Sequence, residues 1–343
     1  MALLSRRTLA AAGLVAAAAA APLAAQNPST PPQITVGGLS YAQWGAQLDS
    51  LSPNNSFDVT RAYLNLFGKF ANGINARVTT DLYSAAGGAH TIRLKYAWFS
   101  WTPENSVLTY KFGLLTTPFI DWEEALWDYR MQGSVAVDRN GRMTSSDFGA
   151  SIEGNVQHDL FNFQVDAVNG SGYSAAPGTT DRHRSFQARA SLRLLPTDDG
   201  SRVGGLRLTA YGELGAPFGG GTKNRFLGEV SYRSKNVLLA GEYEASTDST
   251  TGAAKVDGHL ISAYGWVRIP QSPLAIIARV DIVRPNTSVA NNTQTRFIGG
   301  LSYQLSPNVR LLADLDDLTL QTPTGGTAPK AVTQALFQTQ FTF

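Results

Sequence analysis

The chain reads as all-β: a sixteen-stranded antiparallel transmembrane β-barrel with an inward-folded third loop carrying a short helix. Three observations predict this. Segments of about ten residues alternate apolar and polar side chains along nearly the whole chain, the pattern of strands with one face to lipid and one to water. Clusters of Gly, Pro, Asn, Asp and Ser cut these segments apart. After the amino-terminal stretch, no apolar run reaches the roughly 18 residues that a membrane-spanning helix needs.

The chain opens with basic Arg6 and Arg7, an apolar stretch over residues 9–21, and small residues at Ala24 and Ala25. This is the composition of a secretory signal peptide, expected over 1–25 with cleavage after Ala25. Ser5-Arg6-Arg7-Thr8-Leu9 has a faint twin-arginine character. A barrel must cross the inner membrane unfolded, however, and this favours the general secretory route. Residues 26–33, rich in Pro and polar side chains, read as a disordered lead-in, and 34–343 as the barrel.

Sixteen strands are predicted near 34–47, 57–69, 73–83, 90–101, 107–116, 145–156, 160–169, 182–195, 205–214, 224–233, 236–246, 258–269, 274–284, 294–305, 309–320 and 331–343. The segments 205–214 and 258–269 are the softest assignments, which leaves fourteen or eighteen strands as alternatives. An even number puts both chain ends on the periplasmic side. Short turns such as Asn105-Ser106, Ser234-Lys235 and Ser306-Pro307-Asn308 then fall on that side. Longer connections at 170–181, 247–257, 285–293 and 321–330 fall outside the cell.

Alternation assigns the two faces. Ile92, Leu94, Tyr96 and Trp98 are expected to face lipid, as are Phe161, Phe163 and Val165, and Leu274, Ile276, Ala278, Val280 and Ile282. A charge facing lipid at mid-membrane costs about 2–4 kcal/mol, so Lys95 and Arg279 must point into the lumen. Trp98, Trp101, Tyr232, Tyr303, Phe341 and Phe343 suit aromatic girdles at the membrane interfaces. A soluble β-sandwich of similar composition would not need the signal, the strand number and the terminal Phe343 together.

Residues 117–144 make a connection of almost thirty residues, far beyond hairpin length. Within it, residues 118–130 read as a short helix. Asp121 can cap its start with Glu124 three residues on, and Trp122, Ala125, Leu126 and Tyr129 form one apolar stripe. Folded inward, this insert would present Asp121, Glu123, Glu124 and Asp128, with Arg130 beside them, to the lumen. Opposite it, strands two to five carry Arg61, Arg77, Arg93, Lys95 and Lys111, with Asp81 the main acid. Later strands mix Glu213, Glu229, Glu242, Glu244, Asp281, Asp314 and Asp316 with Arg207, Arg225, Arg268, Arg279, Arg296 and Arg310. A basic wall facing an acidic insert sets a transverse field that favours small polar solutes.

Removing Arg6 and Arg7 from the 28 Lys and Arg leaves as many bases as the 26 Asp and Glu, so the processed chain is formally neutral. No global field points to nucleic acid. There is no Cys, so disulfides do not hold this exported chain together. The four histidines, His90, His158, His183 and His259, show no triad or metal-pair spacing, and no Gly-rich phosphate loop follows a strand. Neither enzyme activity nor a cofactor is expected.

Phe57-Asp58-Val59-Thr60-Arg61-Ala62-Tyr63-Leu64 and Lys111-Phe112-Gly113-Leu114-Leu115-Thr116-Thr117-Pro118-Phe119 resemble two landmarks of the phosphate-selective porin O and P family. These are an Arg-containing second strand and a Gly-x-x-x-x-Pro-Phe step into the third loop. The resemblance implies a sixteen-stranded, homotrimeric porin of the bacterial outer membrane whose third loop constricts the channel, with Arg61 on the wall and Pro118-Phe119 leading into the loop. It also implies a phosphate preference, from which this chain departs. Residues 116–144 hold five acids (Asp121, Glu123, Glu124, Asp128 and Asp138) against Arg130, Arg139 and Arg142, and an acidic constriction repels phosphate. The expected function is passive diffusion of small hydrophilic solutes and ions, with an anion- or phosphate-selective porin as the alternative. A structural or adhesive barrel and an outer-membrane hydrolase are remoter ones.

Overall fold

The computed structural model describes residues 31–49, 55–84, 89–174, 184–216, 220–323, 326 and 331–343. The segment expected as a signal peptide, most of the expected lead-in, His183 and parts of several long loops lie outside them. The strands are β1 (Gln33–Gln47), β2 (Asn55–Lys69), β3 (Ile74–Ser84), β4 (His90–Trp101), β5 (Leu108–Thr116), β6 (Ser146–Val156), β7 (Phe161–Val168) and β8 (Ser185–Leu195). They continue as β9 (Gly205–Gly215), β10 (Gly221–Arg233), β11 (Val237–Thr250), β12 (Val256–Arg268), β13 (Leu274–Arg284), β14 (Gln294–Ser306), β15 (Val309–Leu320) and β16 (Val332–Thr342). Two short helices, α1 (Ile120–Leu126) and α2 (Ala136–Arg139), lie in the third loop.

Every strand pairs antiparallel with its chain neighbours, and β1 pairs with β16, so the sheet is a closed barrel of sixteen strands. Closure leaves no edge strand with unpaired backbone groups. The seam extends to the last residue: Gly38 N–H donates to the Phe343 carbonyl at 2.9 Å, and Phe343 N–H returns to Gly38 at 3.1 Å. Below, the rim at which β1 begins and β16 ends is called the lower rim.

The outer face is apolar all round, with Ile92, Phe112, Phe186, Phe226, Leu239, Leu301 and Leu315 each at least half exposed. The inner face carries the polar set: Arg207, Glu213, Glu229, Glu244, Arg279, Asp281, Asp314 and Asp316 are buried. Trp101, Tyr232, Tyr303, Phe341 and Phe343 lie on the outer face as expected.

Tyr96 and Trp98 do not. Thr79 pairs with Tyr96 and Thr80 with Leu94, so Lys95 is an extra residue in β4, a β-bulge. The bulge turns Lys95 and Tyr96 inward together, and both are buried. Beyond it the parity reverses, so Phe99 and Trp101 face outward while Trp98 turns in beneath the ammonium of Lys111. Strict period-2 reading cannot register an inserted residue, because a one-residue shift exchanges the two faces.

The interior is not uniformly wet. Leu238, Leu260, Tyr264, Trp266, Ile277 and Leu312, all on inner faces of β11–β15, form one buried cluster with Phe119, Ile120, Trp122, Leu126, Trp127 and Tyr129 of the third loop. Burying one large apolar side chain gains about 1.5–3 kcal/mol. This patch is therefore what holds the loop inside the barrel.

Candidate pore constriction

The third loop leaves β5 at Thr117, whose N–H bonds to Ser145 O at 3.2 Å across the loop's neck. Pro118 cannot continue the ladder, and its carbonyl accepts from Arg189 Nε of β8 at 3.0 Å. From there α1 runs down the inner wall. Trp122 donates its indole N–H to Glu229 of β10 at 3.1 Å, with the Arg189 guanidinium 4.4 Å from its ring centroid.

At the foot of the loop, Asp128 is clamped by arginines of the lower rim. Arg233 at the end of β10 reaches it at 3.3 Å, Arg268 at the end of β12 also pairs with it, and Arg310 of β15 donates to its carbonyl at 2.9 Å. The chain then climbs back along β11–β15. Arg279 donates to Ser134 O at 3.0 Å, Gln132 to Asp316 at 3.0 Å, and Arg142 to Ser246 at 2.8 Å.

The helix is shorter than 118–130 and is not capped as expected. It spans Ile120–Leu126 with Phe119 at the cap position and no side-chain cap bond. Asp121 lies inside the first turn, and its carboxylate instead meets Arg202 at 2.7 Å. Arg202 belongs to the nine-residue β8–β9 connection, a lower-rim turn that folds up beneath α1 and buries Val203 in the loop's apolar cluster. Tyr129 is buried as the stripe required, but beyond the helix end.

The insert's acids have separate fates. Asp121 and Asp128 are paired as above. Glu123 is 1 % exposed on the wall side, with one carboxylate oxygen lacking a partner. Burial raises its carboxyl well above the usual range, Arg279 opposes the rise, and Glu229 and Asp281 add to it. Glu124 pairs with Arg130 at 3.1 Å.

All five basic residues of β2–β5 project from the inner face. Arg61 and Arg93 share one carboxylate oxygen of Asp81, at 2.6 Å and 3.0 Å. Lys111 pairs with Glu153. Arg77 bonds to Asn65 at 3.0 Å and to Thr79 at 2.9 Å, and lies 4.4 Å from the Tyr96 ring centroid. Lys95 donates to Tyr63 OH at 3.0 Å. Among the described residues, neither Arg77 nor Lys95 has a carboxylate at ion-pair distance, so five cations face two acids. The loop meets this wall at Tyr63, whose oxygen also accepts from Arg130 at 3.5 Å.

Tyr63, Arg189, Arg202 and Arg233 were invisible as site residues in the sequence, since a single polar side chain in an alternating strand, or one arginine in a turn, carries no sign of what it will meet across the barrel. One signal was present. Leu238-Leu239, Trp266-Val267 and Ile276-Ile277 break the alternation with adjacent apolar residues. Such pairs imply that something apolar covers the inner wall there.

Known solved structures share this architecture at low sequence identity. An anion-selective porin from Comamonas acidovorans superposes with a TM-score of 0.69 at 10 % identity, covering 91 % of this chain and all of that one. Salmonella typhi OmpF, in complex with daunomycin, gives 0.65 at 12 %, over 90 % of this chain and 97 % of that one. A trimer form of OmpT, an outer membrane protein of Vibrio cholerae, gives 0.64 at 11 %, over 92 % and 100 %. No protein-family model and no curated protein sequence matches this chain.

Proposed function

We propose that this chain is an outer-membrane porin that passes small hydrophilic solutes and ions by diffusion, with a mild preference for anions. One observation carries the reading: the third loop is bound along β8–β15, so the remaining passage runs between the loop and the basic wall of β2–β5. On that passage the constriction loop contributes Glu124 and Arg130, which neutralise each other, while the wall contributes Arg61, Arg77, Arg93, Lys95 and Lys111. The wall's excess of cations favours anions. It does not amount to phosphate specialisation, because Asp81 and Glu153 already offset part of the wall's charge and Asp138 of the insert, unpaired among the described residues, keeps its carboxylate beside it.

The lower rim is then periplasmic, and the apolar outer face meets lipid. Residues 1–25 are removed as a signal peptide, which N-terminal sequencing of the membrane-extracted protein would show as a start at Gln26. A homotrimer is the proposed assembly. The OmpT form described as a trimer supports it, and native mass measurement in mild detergent tests it.

Planar-bilayer recording of the purified protein decides the main reading. Stable open steps with a reversal potential displaced towards the chloride equilibrium value are expected in a salt gradient. A silent protein that hydrolyses ester or lipid substrates would instead be an outer-membrane hydrolase.

A further inference from the structure

We infer that the chamber above the constriction is a binding subsite for a small carboxylate that also carries a hydroxyl or ammonium group. The inference rests on the channel reading and names a solute class for it. The chamber, about 520 Å³, lies between the returning limb of the third loop and the upper parts of β2 and β4, and Arg61, Arg93, Asp138, Arg139, Tyr173 and Ser174 line it.

Arg93 is its fixed point. Its guanidinium lies between the rings of Tyr83 and Tyr173, 3.8 Å and 4.2 Å from their centroids, and donates from Nε and Nη2 to Asp81, each at 3.0 Å. It also donates from Nη1 to Ser174 Oγ at 2.8 Å and from Nη2 to Tyr173 OH at 2.5 Å. A guanidinium only donates, so both hydroxyl oxygens act as acceptors here and keep their own protons to give. Among the described residues nothing else takes those protons. Arg61 commits only Nη1, to Asp81, and its other N–H groups have no described partner.

The chamber is therefore rich in donors aimed at one bank, which suits an oxyanion. Asp81 carries a single charge against two guanidiniums, so a second anion is electrostatically welcome. The lining holds one carboxylate, Asp138 of α2, which forms no ion pair among the described residues. An acceptor of this kind repels a dianion such as phosphate and favours a ligand that brings a donor of its own. A carboxylate bearing a hydroxyl or ammonium group satisfies both banks.

The test is solute block of chloride current through the wild-type protein and four variants, with lactate, glycine, propionate and phosphate as probes. Lactate and glycine should halve the current at concentrations about tenfold below propionate or phosphate, the worth of one charge-assisted hydrogen bond. Arg61→Gln and Arg93→Gln should each raise the lactate value about tenfold. Tyr173→Phe keeps the ring over Arg93 and should raise it about threefold, so the inference stays testable if an arginine variant fails to assemble. Asp138→Asn should erase the advantage of lactate over propionate. Equal block by all four probes, or an unchanged lactate preference in Asp138→Asn, overturns the subsite. A protein that conducts but is not blocked by lactate also overturns the subsite and leaves the porin reading standing, whereas a protein that never conducts overturns the porin reading itself.

Discussion

Glu123 and Glu124 are adjacent in sequence and opposite in circumstance. Glu124 lies with Arg130 near the basic wall, and Glu123 is buried behind the helix with a raised carboxyl. Glu124→Gln should therefore shift the reversal potential towards anions at low salt, while Glu123→Gln should leave it almost unmoved. The stability effects run the other way. A raised carboxyl means that the folded state holds its proton more tightly than the unfolded chain does. Stability from this group is fully present below the ordinary glutamate range and is lost as pH rises from there through the raised folded-state value. Glu123→Gln removes that loss, so its thermal midpoint in detergent should exceed the parent's at about pH 8 and approach it at about pH 4. An unchanged difference across that window would place the Glu123 charge elsewhere. The sequence showed both residues as acids of one insert. It could not separate them, because their difference is made by β10, β11 and β13, which lie on the far side of the barrel.

At the scale of elements, strands were the most legible part. The bounds expected from alternation agree with the observed ones to within four residues throughout, including the two softest assignments, now β9 (Gly205–Gly215) and β12 (Val256–Arg268). Bulges and single turns escaped that reading: Lys95 in β4 and Thr60 in β2 each add a residue without altering composition, and α2 is too short for any period to declare. The third loop's inward path was legible in its length and greasy helix, but its anchors were not. Asp128→Asn should weaken the clamp by about 1–3 kcal/mol, the scale of hydrogen bonds to charged groups. Its expected signature is noisier single-channel current with the same mean step. β5 has a backbone requirement of its own. Gly113 sits at φ 127°, and a Cβ there would come within 2.3 Å of the Ala97 carbonyl in β4. Gly113→Val should therefore abolish assembly of the heat-resistant barrel, as seen by gel mobility before and after boiling.

For the whole molecule, the formal neutrality of residues 26–343 hides a sorted charge distribution. Cations dominate β2–β5, and the mixed set on β8–β15 is largely consumed in holding the loop. Anion preference should accordingly be strongest in dilute salt. It should fade as the screening length drops from about 30 Å at 0.01 M to about 3 Å at 1 M. A preference that persists unchanged at 1 M would point to contact binding instead of a field. The sequence made fold class and face assignment readable, since both follow from a period of two. Selectivity was not readable from it, because net field at the constriction depends on which acids are neutralised by distant arginines.

The loop's deepest fastening joins Asp128 to Arg310, 182 residues further along the chain. That clamp closes only when β10, β12 and β15 stand around Asp128, although β8 already holds the loop's start through Arg189. Assembly therefore has an order built into it. The wall around the foot of the loop must stand before that foot can be fastened, so the clamp is the later event. Variants that weaken the clamp should therefore slow the last step of folding even where the finished fold is normal.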